Sequence, residues 1–243
     1  MKVDILAFGA HPDDVELSCS GTLLKQIAQG ATVGLVDLTR GELGSRGSAE
    51  LRDEEGARSA SLMGAAFREN LRMADGFFRN TPDNIRKVVR SIRAHRPKIV
   101  LANSLSDRHP DHGRAAQLVA EACFYAGLIK IETYDEKGQL QEKWRPEAVY
   151  HYIQDHNLEP DFVVDISDYI DQKIELVQAF SSQFFNPKES SFNQEPTTPI
   201  STEGFMDFLR AKAMTYGRIA QFKYAEGFQT ARTPGVKNLF DLV

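Results

Sequence analysis

Apolar residues fall in short runs separated by amphipathic stretches. The run Val3-Asp4-Ile5-Leu6-Ala7-Phe8 predicts a buried strand over residues 3–9. Residues 15–29 predict a helix that buries Leu23, Leu24, Ile27 and Ala28, with Gly30 as its stop. Residues 32–38 predict a second strand, and strand, helix, strand in succession favours a parallel sheet. The rhythm continues with a helix over 49–63 and a short strand over 66–71. A helix capped by Thr81 with Pro82 in its first turn follows, then a strand over 98–102 and a helix over 113–126. Ser48 is a plausible cap for the helix over 49–63, and Arg52, Glu55 and Ser59 share one polar face of it.

The second half is less regular. Turn signals over 129–147 suggest a small β excursion, and 148–153 and 162–166 read as strands. Ser167 or Asp168 caps a helix reaching about Phe180. Residues 181–202, with Pro187, Pro196 and Pro199, form a long irregular segment of the kind that is often functional. A helix over 203–222 and an edge strand over 224–228 complete the reading. No repeat and no Gly/Ser linker divides the chain, so one α/β domain over residues 1–243 is expected.

Composition narrows the class. A hydrophobic fraction of 42% and a charged fraction of 26% are ordinary for a globular protein. The net charge of −5 argues against broad binding to nucleic acid or to an anionic membrane. Two cysteines, Cys19 and Cys123, are too few for a disulfide framework and both fall in predicted helices. No signal peptide and no long apolar span is seen, which makes a cytoplasmic protein the expectation.

The chemistry sits where two strands end. Ala10-His11-Pro12-Asp13-Asp14-Val15-Glu16 follows the first strand, and Asp107-Arg108-His109-Pro110-Asp111-His112 follows the strand over 98–102. Open α/β sheets bind ligands at the carboxyl ends of their strands, so the clusters are placed to meet. Histidine with aspartate suits zinc or a similar divalent ion, and three ligands leave an open position. His11 and one aspartate can bind metal, the other aspartate can act as base, and either His109 or His112 can complete the site. His95, His151 and His156 are not assigned to it. A dinucleotide fingerprint, a nucleophile elbow and a phosphate loop are all missing.

These paired motifs resemble the LmbE-like (PIG-L) zinc-dependent deacetylases, which remove the acetyl group from N-acetylglucosaminyl compounds. The resemblance spans nearly the whole chain and implies a Rossmann-like, mostly parallel sheet with flanking helices and a smaller irregular C-terminal portion. By motif position it implies that His11, Asp14 and His112 bind Zn2+, with Fe2+ or Co2+ as other acceptable ions. Asp13 would be the general base, and His109 would stabilise the oxyanion and donate a proton to the leaving amine. Asp111 would orient a histidine, and Glu16 would support the turn. The loop over residues 38–47 and the tail Tyr224-Ala225-Glu226-Gly227-Phe228 look like the bacillithiol-pathway branch, whose substrate is N-acetylglucosaminyl malate. Arg52 and Arg108 would then face the substrate's carboxylates. A homo-oligomer, trimer or hexamer, is implied in the same way. The rival readings are a deacetylase of another small N-acetyl sugar such as a chitooligosaccharide, a non-catalytic metal binder, and a phosphoesterase.

Overall fold

The structure is a computed structural model that describes residues 1–185 and 195–242. Strands β1 (Ile5–Gly9), β2 (Val33–Asp37), β3 (Phe67–Asn70), β4 (Ile99–Ala102), β5 (Ala148–Tyr152), β6 (Phe162–Asp165) and β7 (Ala225–Gln229) form one sheet in the order β3-β2-β1-β4-β5-β7-β6. The five strands from β3 to β5 run parallel, and β7 is antiparallel to both of its neighbours. Helices α1 (Asp14–Ala28), α2 (Ala49–Met63), α3 (Pro82–His95), α4 (Pro110–Ala126), α5 (Ile170–Gln178) and α6 (Gly204–Ile219) flank it. The fold is the α/β, mostly parallel arrangement expected from the sequence.

Strand alternation divides the core into two layers. Leu6 and Phe8 of β1 point to one face and pack with Val88, Ile92, Leu118 and Val119 of α3 and α4. Ile5 and Ala7 point to the other and pack with Val15, Cys19 and Leu23 of α1. Both faces of the central strands are covered, which is why β1 and β2 read as unbroken apolar runs. Cys19 and Cys123 are free and buried within these layers.

Several features differ from the sequence reading, and α5 starts at Ile170 after Tyr169, without the side-chain cap expected from Ser167 or Asp168. Helix α4 begins at Pro110 rather than at 113, because the His109 side chain caps it and Pro110 occupies its first position. β7 is not an edge strand: it lies between β5 and β6, where Gly227 and Phe228 pair with Val163 and Phe162. The excursion over 129–147 reduces to a single bridge, Tyr134 with Leu140. Part of the irregular segment 181–202 lies outside the described residues.

The chain leaves β1 to build β2 and β3 on one side, then crosses to build β4 on the other. The order therefore reverses between β1 and β4, and a crevice opens at their carboxyl ends. Both motifs emerge there.

Candidate active site

Three strand ends are tied together beneath the cluster. The Ala10 N–H donates to Asn103 Oδ1 just after β4 (2.9 Å), and Thr39 Oγ1 donates to the Ala10 carbonyl just after β2 (2.8 Å). Asp14 opens α1, and its carboxylate accepts from the His11 N–H (2.9 Å), Asn103 Nδ2 (2.9 Å) and Gln154 Nε2 (3.0 Å). Gln154 follows β5, so a fourth strand end contributes.

The imidazoles of His11, His109 and His112 converge, with ring centroids 4.7, 5.6 and 5.0 Å apart in pairs. Each of the two expected histidine ligands has one nitrogen occupied by a carboxylate. His11 Nε2 lies 3.0 Å from Asp75 Oδ1 and 3.5 Å from Asp111 Oδ2, and His112 Nδ1 meets Asp107. The opposite nitrogens face Asp14: His11 Nδ1 is 3.6 Å from Oδ2, and His112 Nε2 is 3.1 Å from Oδ1. Carboxylate, imidazole and ligand position in sequence is the usual outer support of a metal site. Among the described residues, His11, His109 and His112 form one group with ligand atoms close enough to hold an ion, and His11, Asp75 and Asp111 form another.

The electrostatics agree with a site for a cation. Burial alone would lower the pKa of His11, but Asp111, Asp14 and Asp75 hold it well above the usual value. Burial also works against His112, yet the Asp14 charge and the bonds to Asp107 and Asp14 push it up to about 9. Burial opposes ionisation of Asp14, but the charge of His112 and the hydrogen bond from His11 hold it well below the carboxylate range. Asp75, likewise opposed by burial, is held down to about 2 by His11. Four carboxylates, Asp14, Asp75, Asp107 and Asp111, therefore surround the cluster and favour positive charge there. A divalent ion bound to the inner nitrogens would supply that charge.

His109 is set apart. Its Nδ1 accepts from the Asp111 N–H (3.2 Å), and its pKa is lowered by burial and by the charges of His11 and His112. Asp13 sits beside the cluster, and its Oδ2 accepts from Arg52 Nη2 at 2.7 Å. Arg52 Nη1 donates to the Gly41 carbonyl (3.2 Å), and Gly41 has φ +65° and carries no Cβ that would collide with the guanidinium. Glu55, on the same buried side of α2 as Arg52, accepts from the Ser182 N–H and Oγ.

The remaining expected residues take these places. Asp111 also accepts from the Gly76 N–H and pairs with Arg114. Glu16 is fully buried and accepts from Ser59 and Arg68, so it ties α1 to α2 and β3. Arg108 is half-exposed at the pocket wall and pairs with Asp155 at 3.3 Å. Asp75, Asp107, Asn103, Gln154 and Lys212 carry no role expected from the sequence. The signal for most of them was position: each of Asn103, Asp107 and Gln154 follows the end of a central strand. Asp75 had only an Asp-Gly turn to mark it, and Lys212 lies on a distant helix.

A mostly parallel sheet with histidines and carboxylates gathered at its switch point defines an α/β protein whose residues are able to hold a metal ion there. Residues 6–123 match the family model described as PIG-L: GlcNAc-PI de-N-acetylase. The chain is 30% identical to diacetylchitobiose deacetylase of Thermococcus kodakarensis over 242 residues, 96% of this chain and 84% of that one. It is 26% identical to a probable N-acetyl-alpha-D-glucosaminyl L-malate deacetylase of Bacillus anthracis, over 74% of this chain and 81% of that one. Among solved structures, the conserved protein TT1542 from Thermus thermophilus is similar with a TM-score of 0.84 and 34% identity, covering 98% of both chains. The chain belongs to the PIG-L family of de-N-acetylases.

Proposed function

We propose that this protein is a metal-dependent deacetylase of an N-acetylglucosamine-type sugar, working as one domain over residues 1–243 within a homo-oligomer. The observation that carries the reading is the paired imidazoles, each backed by a carboxylate and both facing Asp14, with Asp13 and His109 beside them. His11, Asp14 and His112 would hold the ion, and zinc suits this nitrogen and oxygen set. Asp14 is in neither of the two three-residue groups, but its oxygens lie 3.6 Å from His11 Nδ1 and 3.1 Å from His112 Nε2; both groups need His11, which fits one ion better than the two metals common in phosphoesterases.

When bound, the ion polarises the amide carbonyl and acidifies a water. Asp13 removes the proton from the attacking water, and Arg52 fixes the direction of its carboxylate. His109 donates to the developing oxyanion. Because Nδ1 accepts from the Asp111 N–H, the proton stays on Nε2 and the ring does this work while neutral. The positive end of α4 beside it also disfavours an imidazolium. Asp13 then delivers its proton to the amine nitrogen, which leaves poorly as an anion. This reading keeps the residues expected from the motifs and moves proton delivery from His109 to Asp13.

On the glycosidic side, Arg52 and Arg108 are the partners that an N-acetylglucosaminyl malate substrate would need. Both are already paired, with Asp13 and Asp155. A neutral conjugate, of the kind named for the Thermococcus relative, fits this charge state better than the malate. Acetate release from N-acetylglucosamine glycosides by protein of measured metal content tests the reading. Release that disappears on chelation and returns with metal is the expected outcome. A metal-loaded protein that releases none from any glycoside would overturn it.

A further inference from the structure

The pocket that holds the cluster extends well past it. Its volume is about 410 Å³. Beside the reactive side chains it is lined by Leu17 of α1, Ile153 just after β5, and Phe205, Phe208, Leu209 and Ala213 of α6, and Leu17, Phe205 and Leu209 belong to one apolar cluster.

Among the described residues, four cations line this pocket, and each is engaged. Arg52 pairs with Asp13 at 2.7 Å, Arg108 with Asp155 at 3.3 Å and Lys173 with Glu226 at 2.6 Å. Lys212 Nζ donates to the backbone carbonyls of Gln154, Asp155 and His156. An anionic group entering here would have to compete with Asp13 for Arg52 or with Glu226 for Lys173, both buried pairs, while the half-exposed Arg108–Asp155 pair holds its arginine less firmly. An apolar group would only displace water and cover the α6 side chains.

We propose that this chamber receives an apolar substituent of the amino sugar, alkyl or aryl, and that the protein selects against anionic conjugates. The inference rests on the deacetylase reading and narrows its substrate class. The substituent can sit on the glycosidic oxygen or extend the N-acyl group, and the two arms of the test separate these.

One arm compares methyl, butyl and hexyl glycosides of N-acetylglucosamine with the malyl glycoside. The other compares N-acetyl, N-butanoyl and N-hexanoyl groups on the methyl glycoside. In the arm that addresses the chamber, kcat/KM rises about three- to fourfold per buried methylene. The malyl glycoside does no better than the methyl. Phe208→Ala, on a residue 40% exposed and safe to truncate, flattens the slope. A flat response in both arms, or preference for the malyl glycoside, overturns the proposal. Calorimetric binding of the methyl and hexyl glycosides of free glucosamine separates it from the deacetylase reading. A chain-length gain in binding without acetate release sinks the catalytic reading and keeps the chamber. Acetate release with a flat chain-length response in both arms sinks the chamber alone.

Discussion

Asp75 and Asp107 occupy the outer nitrogens of His11 and His112, and so fix which nitrogen each ring turns inward. Asp75→Asn or Asp107→Asn should weaken metal binding by about 10- to 100-fold, read by competition with a chelator. His11→Ala, Asp14→Ala and His112→Ala should weaken it further, and wild-type affinity in any of them would remove that residue from the ligand set. Protons and metal compete for these rings. His112 has a folded pKa of about 9 against an ordinary 6.5, so its protonation stabilises the metal-free protein fully below about 6.5, and that contribution is lost as pH rises through about 9. Metal binding needs the neutral ring, so affinity should tighten between pH 6.5 and 9 while the metal-free melting temperature falls, and calorimetry near pH 7 should detect proton release. Asp13→Asn and His109→Ala should keep the metal and lose on the order of 10²–10⁴ in kcat. At this scale the sequence was legible wherever a residue stood in a motif at a strand end. Asp75 was not, because nothing along the chain links it to a histidine 64 positions away.

At the scale of elements, α6 acts on the cluster without touching its imidazoles. Lys212 holds the carbonyls of residues 154–156, and Gln154 in turn donates to Asp14 and accepts from Asn103. Lys212→Met should therefore lower metal affinity and kcat together, with partial recovery in Lys212→Arg, whereas a merely structural lysine would change the melting temperature alone. Helix α1 carries a second device. The Glu226 carboxylate accepts from the Gly21 and Thr22 N–H groups in the middle of the helix and pairs with Lys173, which also donates to the Glu16 carbonyl. Glu226→Gln leaves a buried ammonium without its counter-charge and should cost about 3–5 kcal/mol in denaturant unfolding. Adding Lys173→Met should recover part of that loss. The helices themselves were readable from period and caps. The start of α4 was displaced because a histidine is an unusual cap, and that same displacement puts Asp111 and His112 on a helical turn.

For the whole molecule, the strand-helix rhythm and the two motif positions were enough to place a site at the crevice between β1 and β4. The position of β7 was not readable. Alternation marks a strand but does not tell which gap in a sheet it fills, and this one fills an interior gap by pairing antiparallel to both neighbours. The C-terminal part is therefore joined to the sheet itself, and much of the pocket's apolar lining comes from it.

The insertion of Glu226 into α1 also has a consequence in time. A ribosome delivers His11 and α1 before the carboxylate that accepts from the Gly21 N–H of α1, which is 205 positions further on. β6 pairs only with β7 among the described strands, so it too waits for residues 225–229. Contacts this distant form late. The metal-binding turn should thus remain unarmed during synthesis and be completed only after β7 docks, which would keep a nascent chain from capturing whichever ion it meets first. Chains stalled on the ribosome before Tyr224 should retain far less metal than chains stalled beyond Thr230 on an added linker, and equal retention would show that the residues before Tyr224 suffice.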